Sequence, residues 1–488
     1  MSDKKKIWVF LIAVMTPIVG CLLLLLSQGI APWDFSLATT NWNDEPMYYK
    51  QIEGMVHFGT PQGFFGYNES HSVYGNFGGW TPANLIPYYL VGKVFGWHFG
   101  TPVIFNLCLW ILVFGFFAIV LKPTLNQQIF TSLSFIAYLS GSRYIFSTTP
   151  EAFISVSVVL FAISFIKFFE KDSKLVWLVI CDIMMIWLTL LRGFYGIFGV
   201  LILVAMFIKA DKRIEWQKWL VQIILMFVAL IGFILLAKYL EAPYMAGGDI
   251  SGEALFSIKS LIKSGILGVI EALKYMVEAV KLQSMRGCWY IGYIAIMVWT
   301  LVKGIRNKNA MFISVAAALL IVLASMFVLY NAKEGSRQLM SLTIAGLMLI
   351  PLYEDKKPVC ISFVIVIALL FWLDGESFFK QLSIDADGER ETLYLTAQKE
   401  LSDLMPIAED EWDNTVIYSR TVNHQDMMAL PAGMGINFCL NEYIKDNFDE
   451  LSSKYVAVRI DDDIERFLQE QSCEKVYSFN DTVVYKLR

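Results

Sequence analysis

Charged residues are scarce in this sequence of 488 residues: Asp, Glu, Lys and Arg make up 17%, whereas hydrophobic residues make up 56%. Soluble globular proteins have about 25% charged and about 45–50% apolar residues. The mean hydropathy is accordingly high, at +0.54. This composition excludes an ordinary soluble domain and is typical of a protein embedded in a membrane.

Other features are missing as well. The 39 Lys and Arg residues are outnumbered by 44 Asp and Glu residues, and no basic stripe occurs, so nucleic acid is excluded as a partner. The seven cysteines are scattered, without a CxxC pair or a Cys/His cluster, so no metal site is predicted from them. No internal repeat is visible, which disfavours the transporters that are built from repeats.

What the sequence has instead is long apolar runs of about 17–22 residues, each of which can cross a hydrocarbon core of about 30 Å as a helix. Backbone groups in lipid must bond within their own segment, so each run is predicted to be a helix. The first run is longer than the core of a cleavable signal peptide, and we interpret it as an uncleaved span. About eleven spans are predicted, at residues 7–26, 102–121, 127–142, 152–168, 175–190, 194–208, 219–238, 288–302, 310–330, 338–352 and 359–373.

Basic residues fall in alternate loops between the predicted spans. With the N-terminus in the cytoplasm, the short inner loops carry these residues, as the positive-inside rule requires. The inner loops contain Lys122; Lys167, Lys171 and Lys174; Lys209, Lys212, Arg213 and Lys218; Lys303, Arg306 and Lys308; and Lys356 and Lys357. We therefore predict a multi-pass protein of the cell membrane with a cytoplasmic N-terminus.

Two units follow from this topology. Residues 1–374 are predicted to be an all-α polytopic membrane bundle with long outer loops at 28–100 and 241–286. Residues 375–488 contain short β-branched and aromatic runs between polar helical segments, which predicts a small extracytoplasmic α/β domain. The loop at 241–286 contains an amphipathic helix, which we expect on the membrane surface, over a cavity or packed on the C-terminal domain.

Two adjacent carboxylates, Asp44 and Glu45, follow the first predicted span closely. Such a pair beside a membrane surface usually accepts a proton, contacts a cation or binds a metal, so a divalent cation stays possible. The alternative is a solvated loop in which Glu45 lies near the N-terminus of a helix.

Further charges lie at predicted outer ends of spans. Glu151 opens one span, Arg192 stands alone between two spans, and Lys333 and Arg337 precede a late one. Arginine on the outer face opposes the charge bias, and a bound phosphate would explain it, because guanidinium binds phosphate bidentately. The alternatives are helix capping by Glu151 and salt bridges from the arginines to Glu334 or Glu151.

In the order and sidedness of these residues, positions 1–375 resemble the GT-C class of membrane glycosyltransferases, especially protein O-mannosyltransferases and bacterial aminoarabinose transferases. The resemblance implies that Asp44, Glu45 and Glu151 are catalytic and that Arg192, Arg337 and Lys333 bind the donor phosphate. Relatives often place the acid before the proline, whereas this sequence has Pro150-Glu151. The C-terminal domain is not diagnostic of the class.

The implied activity is inverting transfer of a sugar, a hexose or a pentose, from a polyprenyl-phosphate carrier on the outer membrane face. The acceptor would be a glycan, a lipid or a protein of the cell envelope, and membrane lipids would surround the enzyme. Three alternatives stay open at this point. The first is a transporter or flippase for lipid-linked glycans, and the second is a polysaccharide polymerase or ligase. The third is a membrane receptor that uses the C-terminal domain as its binding module.

Overall fold

The architecture is taken from a computed structural model, which describes residues 3–32, 37–40, 44–59, 65–69, 81–170, 172–239, 258–281, 284–329, 332–354, 356–372, 382–385, 389–409 and 412–487. Its helices are, in chain order, α1 (Asp3–Ser27), α2 (Asp44–Phe58), α3 (Ile86–Phe95), α4 (Thr101–Leu121), α5 (Leu125–Ala137), α6 (Leu139–Arg143), α7 (Glu151–Phe169), α8 (Leu175–Leu191), α9 (Ile197–Lys209), α10 (Trp216–Tyr239), α11 (Ile258–Val280), α12 (Met285–Arg306), α13 (Ala310–Leu329), α14 (Ala332–Gln338), α15 (Met340–Tyr353), α16 (Lys357–Trp372), α17 (Glu389–Leu404), α18 (Asn441–Asp446) and α19 (Asp463–Glu470). Its strands are β1 (Leu37–Thr40), β2 (Phe65–Tyr67), β3 (Leu382–Asp385), β4 (Thr415–Ser419), β5 (Gly435–Cys439), β6 (Tyr455–Arg459), β7 (Glu474–Phe479) and β8 (Thr482–Lys486).

Every predicted span coincides with a helix of the bundle, namely α1, α4, α5, α7, α8, α9, α10, α12, α13, α15 and α16. Six helices among the described residues are long and apolar enough to cross a membrane: α1, α4, α7, α10, α12 and α13. The prediction of an all-helical, multi-pass membrane bundle is therefore confirmed.

The bundle helices are apolar all round, because lipid covers the sides that the protein core does not. Helix α4 illustrates this. Its Trp110 and Phe114 rings are buried against Phe135 of α5, with ring centroids 4.9 and 5.0 Å apart. On its other side, Ile104 and Leu112 are about two-thirds exposed on the protein surface. Such a helix is stable only where that exposed surface meets hydrocarbon.

The C-terminal region forms the predicted α/β domain. Its six-stranded sheet has the order β2-β5-β4-β6-β8-β7. Strands β2, β5, β4 and β6 are parallel, and β8 pairs antiparallel with both β6 and β7. Strands β4, β6, β7 and β8 match predicted runs. Strands β2 and β5 have no prediction, and β2 comes from the first predicted outer loop rather than from the C-terminal region.

That first loop and the C-terminal region share a hydrophobic core. Ile52 of α2 and Tyr88 of α3 are fully buried in one cluster with Tyr394 of α17 and Met427. The antiparallel pair of β1 with β3 adds a second connection between the two regions. The loop is therefore folded onto the C-terminal domain as part of one unit.

A buried ion pair reinforces this junction. Lys50 and Glu53 of α2 form a salt bridge, and each side chain is at most 6% exposed. The Lys50 ammonium also donates to the carbonyl of Leu430, and Gln398 Nε2 donates to Glu53 Oε1 at 2.8 Å. Buried charges are tolerated when they are paired and hydrogen-bonded in this way. Helix α2 is consequently fixed on the C-terminal domain, while its first turn reaches the bundle.

The predicted amphipathic helix is α11. It packs on α12, α13 and α14 of the bundle, so among the expected placements the contacts favour the bundle over the C-terminal domain. Its side chains Ile262, Ile266, Ile270 and Val277 are more than half exposed. An exposed apolar stripe on a helix beside a membrane bundle is typical of an interfacial helix.

Candidate active site

Charged side chains from several segments meet at the predicted outer ends of the bundle helices. We name this set the buried charge cluster and define it as Glu45, Arg143, Glu151, Arg192 and Arg337. Each residue is at most 6% exposed. Ionised groups are rarely buried without a functional or pairing reason, so the cluster is the first candidate for an active site.

Glu45 lies in the first turn of α2, where the positive end of the helix dipole favours a carboxylate. Its Oε1 accepts a hydrogen bond from Ser147 Oγ at 2.8 Å and lies 3.6 Å from Arg143 Nη2. Its backbone carbonyl accepts a hydrogen bond from Thr148 Oγ1 at 2.7 Å. Asp44 begins the same helix, but its side chain lies outside the described part of the structure. The alternative of a solvated loop does not hold for Glu45, which is buried.

The segment that meets Glu45 joins the predicted spans 127–142 and 152–168. Residues 137–152, which include the short helix α6, are all buried, as is typical of a segment that lines a site. Asn106 of α4 braces it by donating Nδ2 to the carbonyls of Ile145 at 3.2 Å and Ser147 at 2.8 Å. The Tyr88 hydroxyl donates a hydrogen bond to Asn106 Oδ1 at 2.7 Å, so the Asn106 side chain is itself held in position.

Glu151, the first residue of α7, joins the two predicted arginines. Its Oε1 lies 2.8 Å from Arg192 Nη2 and 3.2 Å from Arg337 Nε. Arg192 follows α8 and Arg337 belongs to α14, so this carboxylate connects three elements. Among the described side chains, both arginines therefore form a salt bridge with Glu151, which was the alternative to a role in phosphate binding. If these arginines bind a phosphate, they must do so with Glu151 as a neighbour.

Lys333 lies on α14 one helical turn before Arg337, and its side chain is exposed. Its predicted part in phosphate binding stays a prediction.

Arg143 is the residue that sequence reasoning missed. It is 1% exposed, and its guanidinium carbon lies 4.4 Å from the centre of the Tyr144 ring. The signal was present, because Arg143 is an arginine in a predicted outer segment, as Arg192 is. Ser147 was missed because it is uncharged, so the positive-inside rule gives no reason to single it out.

The described donor set does not favour a metal ion. Among the described residues, no three His, Cys, Asp or Glu side chains lie close enough to hold one. Moreover, Glu45 faces Arg143 and Glu151 faces two arginines, so cationic groups already neighbour both carboxylates. We derive no chemical step through a metal.

The cluster can perform two kinds of chemistry. A carboxylate such as Glu45 can accept a proton from a hydroxyl group that enters its hydrogen-bonding range. Buried guanidinium groups can stabilise negative charge on a phosphate, because their attraction is strong where water is excluded. Three guanidinium groups accompany two carboxylates among the described side chains, so the cluster favours an anion.

A separate cavity of about 240 Å³ lies deeper in the bundle. Its lining is aromatic and aliphatic, contains no charged side chain and comes mainly from α7, α9, α12, α13 and α15. Among its lining residues on α7, Val158 is the nearest to Glu151, and the two residues are about 10 Å apart along the helix axis. With no acidic side chain, histidine, lysine or arginine in its lining, this cavity is not the place for acid–base chemistry.

Comparisons with known proteins give a fold. No family model matches the sequence, and no curated protein matches it. The structure is similar to the oligosaccharyltransferase of Archaeoglobus fulgidus in its apo form, with a TM-score of 0.52 and 12% identity over 94% of this chain and 70% of that one. The same enzyme in complex with Zn and sulfate gives a TM-score of 0.50 at 12% identity, over 92% and 68% of the two chains. ArnT from Cupriavidus metallidurans bound to undecaprenyl phosphate gives 0.46 at 12% identity, over 98% of each chain.

At this identity the similarity to the archaeal enzyme is one of fold. That enzyme is a GT-C glycosyltransferase, so the predicted GT-C-like architecture is confirmed. The activity of this chain must be argued from its own site.

Proposed function

We propose that this protein, which has the fold of an archaeal oligosaccharyltransferase, is an inverting glycosyltransferase. It moves a hexosyl or pentosyl group from a polyprenyl-phosphate donor to an acceptor on the outer membrane face. The acceptor is a glycan, lipid or protein of the cell envelope. One observation carries the proposal: charges from segments that the topology predicts to be outside converge in one buried cluster.

The acidic pair at the start of α2 supplies the base. An acceptor hydroxyl must lose its proton as its oxygen attacks C1 of the sugar, and a carboxylate within hydrogen-bonding range can take that proton. We assign this role to Asp44, with Glu45 beside it as the second candidate. Burial of Glu45 against Ser147 supports the assignment, because it fixes the first turn of α2 at the site.

The arginines receive the leaving group. When the bond between C1 and the phosphate oxygen breaks, the electron pair stays on the lipid phosphate, whose negative charge increases. The carboxylate of Glu151 forms salt bridges with both Arg192 and Arg337, and it therefore orients both guanidinium groups before the donor arrives. Preorganised donors of this kind stabilise developing charge without further rearrangement. Lys333, one turn before Arg337, provides an additional cation near the donor phosphate.

The topology proposal completes this picture. The N-terminus is cytoplasmic, and the C-terminal domain lies outside the cell, above the buried charge cluster. Packing of α2 on that domain supports this arrangement, because the first loop and the domain must then lie on the same side of the membrane.

The test is transfer of a radiolabelled sugar from a polyprenyl-phosphate donor by the purified protein and by Asp44→Asn, Glu45→Gln and Glu151→Gln. General-base catalysis contributes about 10²–10⁴ in rate, so Asp44→Asn should lower kcat at least about a hundredfold. Asp403→Asn is the matched control, because this carboxylate is exposed on α17. If all three site variants transfer sugar as fast as the control, the assignment of these site residues is wrong. If the wild-type protein consumes no donor of this class, the glycosyltransferase proposal is wrong.

A further inference from the structure

Arg143 has an unusual environment for an arginine. Its side chain is 1% exposed, and among the described residues none of its three guanidinium nitrogens has a hydrogen-bond partner. The nearest carboxylate oxygen, Glu45 Oε1, is 3.6 Å from Nη2 and already accepts a hydrogen bond from Ser147. Charge-assisted hydrogen bonds have lengths of about 2.7–2.9 Å, so this pair is in electrostatic contact only.

The adjacent Tyr144 repeats the pattern. Its side chain is buried, and among the described residues its hydroxyl group has no hydrogen-bond partner. The Arg143 guanidinium carbon lies over the Tyr144 ring, 4.4 Å from the ring centre. Tyr144 is also within electrostatic range of both Glu45 and Glu151.

Buried donors without acceptors are costly, and native proteins rarely keep them without a ligand or a functional reason. Here two such donors are neighbours in the chain and lie in a cluster whose described side chains include three guanidinium groups and two carboxylates. A phosphate would resolve the anomaly, since it offers several acceptor oxygens and negative charge to a planar guanidinium edge.

We propose that Arg143 and the Tyr144 hydroxyl bind oxygen atoms of a phosphate group inside the buried charge cluster. This inference rests on the proposed function in one respect: the phosphate is identified as that of the lipid-linked donor. In that position the two residues hold the phosphate beside Glu45, and therefore beside the base. The competing explanation is that Arg143 only stabilises the fold by pairing with Glu45.

The two explanations predict opposite effects on the ligand-free protein. If Arg143 awaits a ligand, Arg143→Met removes an unsatisfied buried charge, and the thermal midpoint in detergent should stay the same or rise. If Arg143 is a structural partner, the same variant should lower the midpoint by several degrees, because Glu45 loses its counter-charge. Tyr144→Phe removes only the hydroxyl oxygen and should leave the ligand-free midpoint unchanged.

Binding is measured by the rise in thermal midpoint on titration with a polyprenyl monophosphate and, separately, with inorganic phosphate. Arg143→Met and Tyr144→Phe should each weaken binding at least about tenfold, as expected for hydrogen bonds to an ionised phosphate oxygen. Arg143→Lys should fall between wild type and Arg143→Met. The control is Arg306→Met, which removes an exposed arginine from the far end of the bundle and should bind like wild type.

A rise in thermal midpoint with the lipid alone identifies the lipid phosphate as the ligand, and an equal rise with inorganic phosphate identifies a general phosphate site. Either result supports the role of Arg143 if the Arg143 variants no longer show that rise. Unchanged affinity in both Arg143→Met and Arg143→Lys overturns the inference, as does a wild-type protein that neither phosphate stabilises. The assay needs no sugar transfer. If binding depends on Arg143 but no sugar-phosphate donor is consumed, the proposed function fails and the phosphate site stands.

Discussion

The pairing of Glu151 with two arginines makes Glu151→Gln the most informative single substitution. Both guanidinium groups contact the same carboxylate oxygen, at 2.8 and 3.2 Å, and all three side chains are at most 6% exposed. Removing one partner of a buried ion pair costs about 3–5 kcal/mol, because the other charge is left uncompensated. Here two charges lose their partner, while the glutamine oxygen still accepts a hydrogen bond. We expect a loss of about 3–5 kcal/mol in the free energy of unfolding.

A double variant separates this electrostatic cause from a change in packing. Adding Arg192→Met to Glu151→Gln removes one of the two orphaned charges, so the double variant should be more stable than Glu151→Gln alone. Coupling energies between residues in contact are about 0.5–3 kcal/mol. Arg192→Met on its own should be destabilising, because Glu151 then has one partner instead of two.

The assay is thermal unfolding of the purified proteins in detergent, followed by tryptophan fluorescence and checked by native-state proteolysis. Asp403→Asn, at an exposed carboxylate, should unfold with the wild type. A Glu151→Gln midpoint equal to that of this control would refute the reasoning. Additive effects of Glu151→Gln and Arg192→Met would refute it as well, since they would show that the two side chains do not interact.

Three further predictions follow from the described contacts. Glu45→Gln should lower sugar transfer at least about tenfold, measured with the polyprenyl-phosphate donor, because the variant loses a candidate proton acceptor; wild-type kcat would contradict this. Burial raises the pKa of the Asp426 carboxyl group, so the folded protein binds this proton more tightly than the unfolded chain does. The thermal midpoint of the C-terminal domain should therefore fall as the pH rises above about 4, the pKa of Asp in an unfolded chain. Asp426→Asn should remove this dependence on pH. An Asn480→Cys variant should react with a membrane-impermeant maleimide on intact cells, and labelling only after lysis would reverse the proposed topology.

Much of the fold was predictable because its strongest signals are local. An apolar run long enough to span a bilayer must be a helix whatever surrounds it, and the predicted runs coincide with helices. The predicted sidedness of the site was derived from loop charge, which is also a local property. It singled out Glu151, Arg192 and Arg337, and the structure brings these three side chains into contact.

What the sequence could not predict depends on distant contacts. Strand β2 is three residues long and has no periodic pattern, so nothing near it indicates that it pairs with β5. Nor does any local feature indicate that Lys50 would be buried against the carbonyl of Leu430. The pairing of both arginines with Glu151 required a choice between alternatives that only three-dimensional geometry could make.

The same pairing of β2 with β5 has a consequence for how the protein is made. Phe65 lies opposite Ile436, so about 370 residues must be synthesised between the two strands. At about 5–20 residues per second, the ribosome takes from about twenty seconds to more than a minute to cover that distance. Throughout this interval the loop that carries Glu45 lacks the surface on which it folds. Maturation of the site is therefore timed by translation of residues 389–487, and a chain released before them would lack the surface that fixes the first turn of α2 at the site.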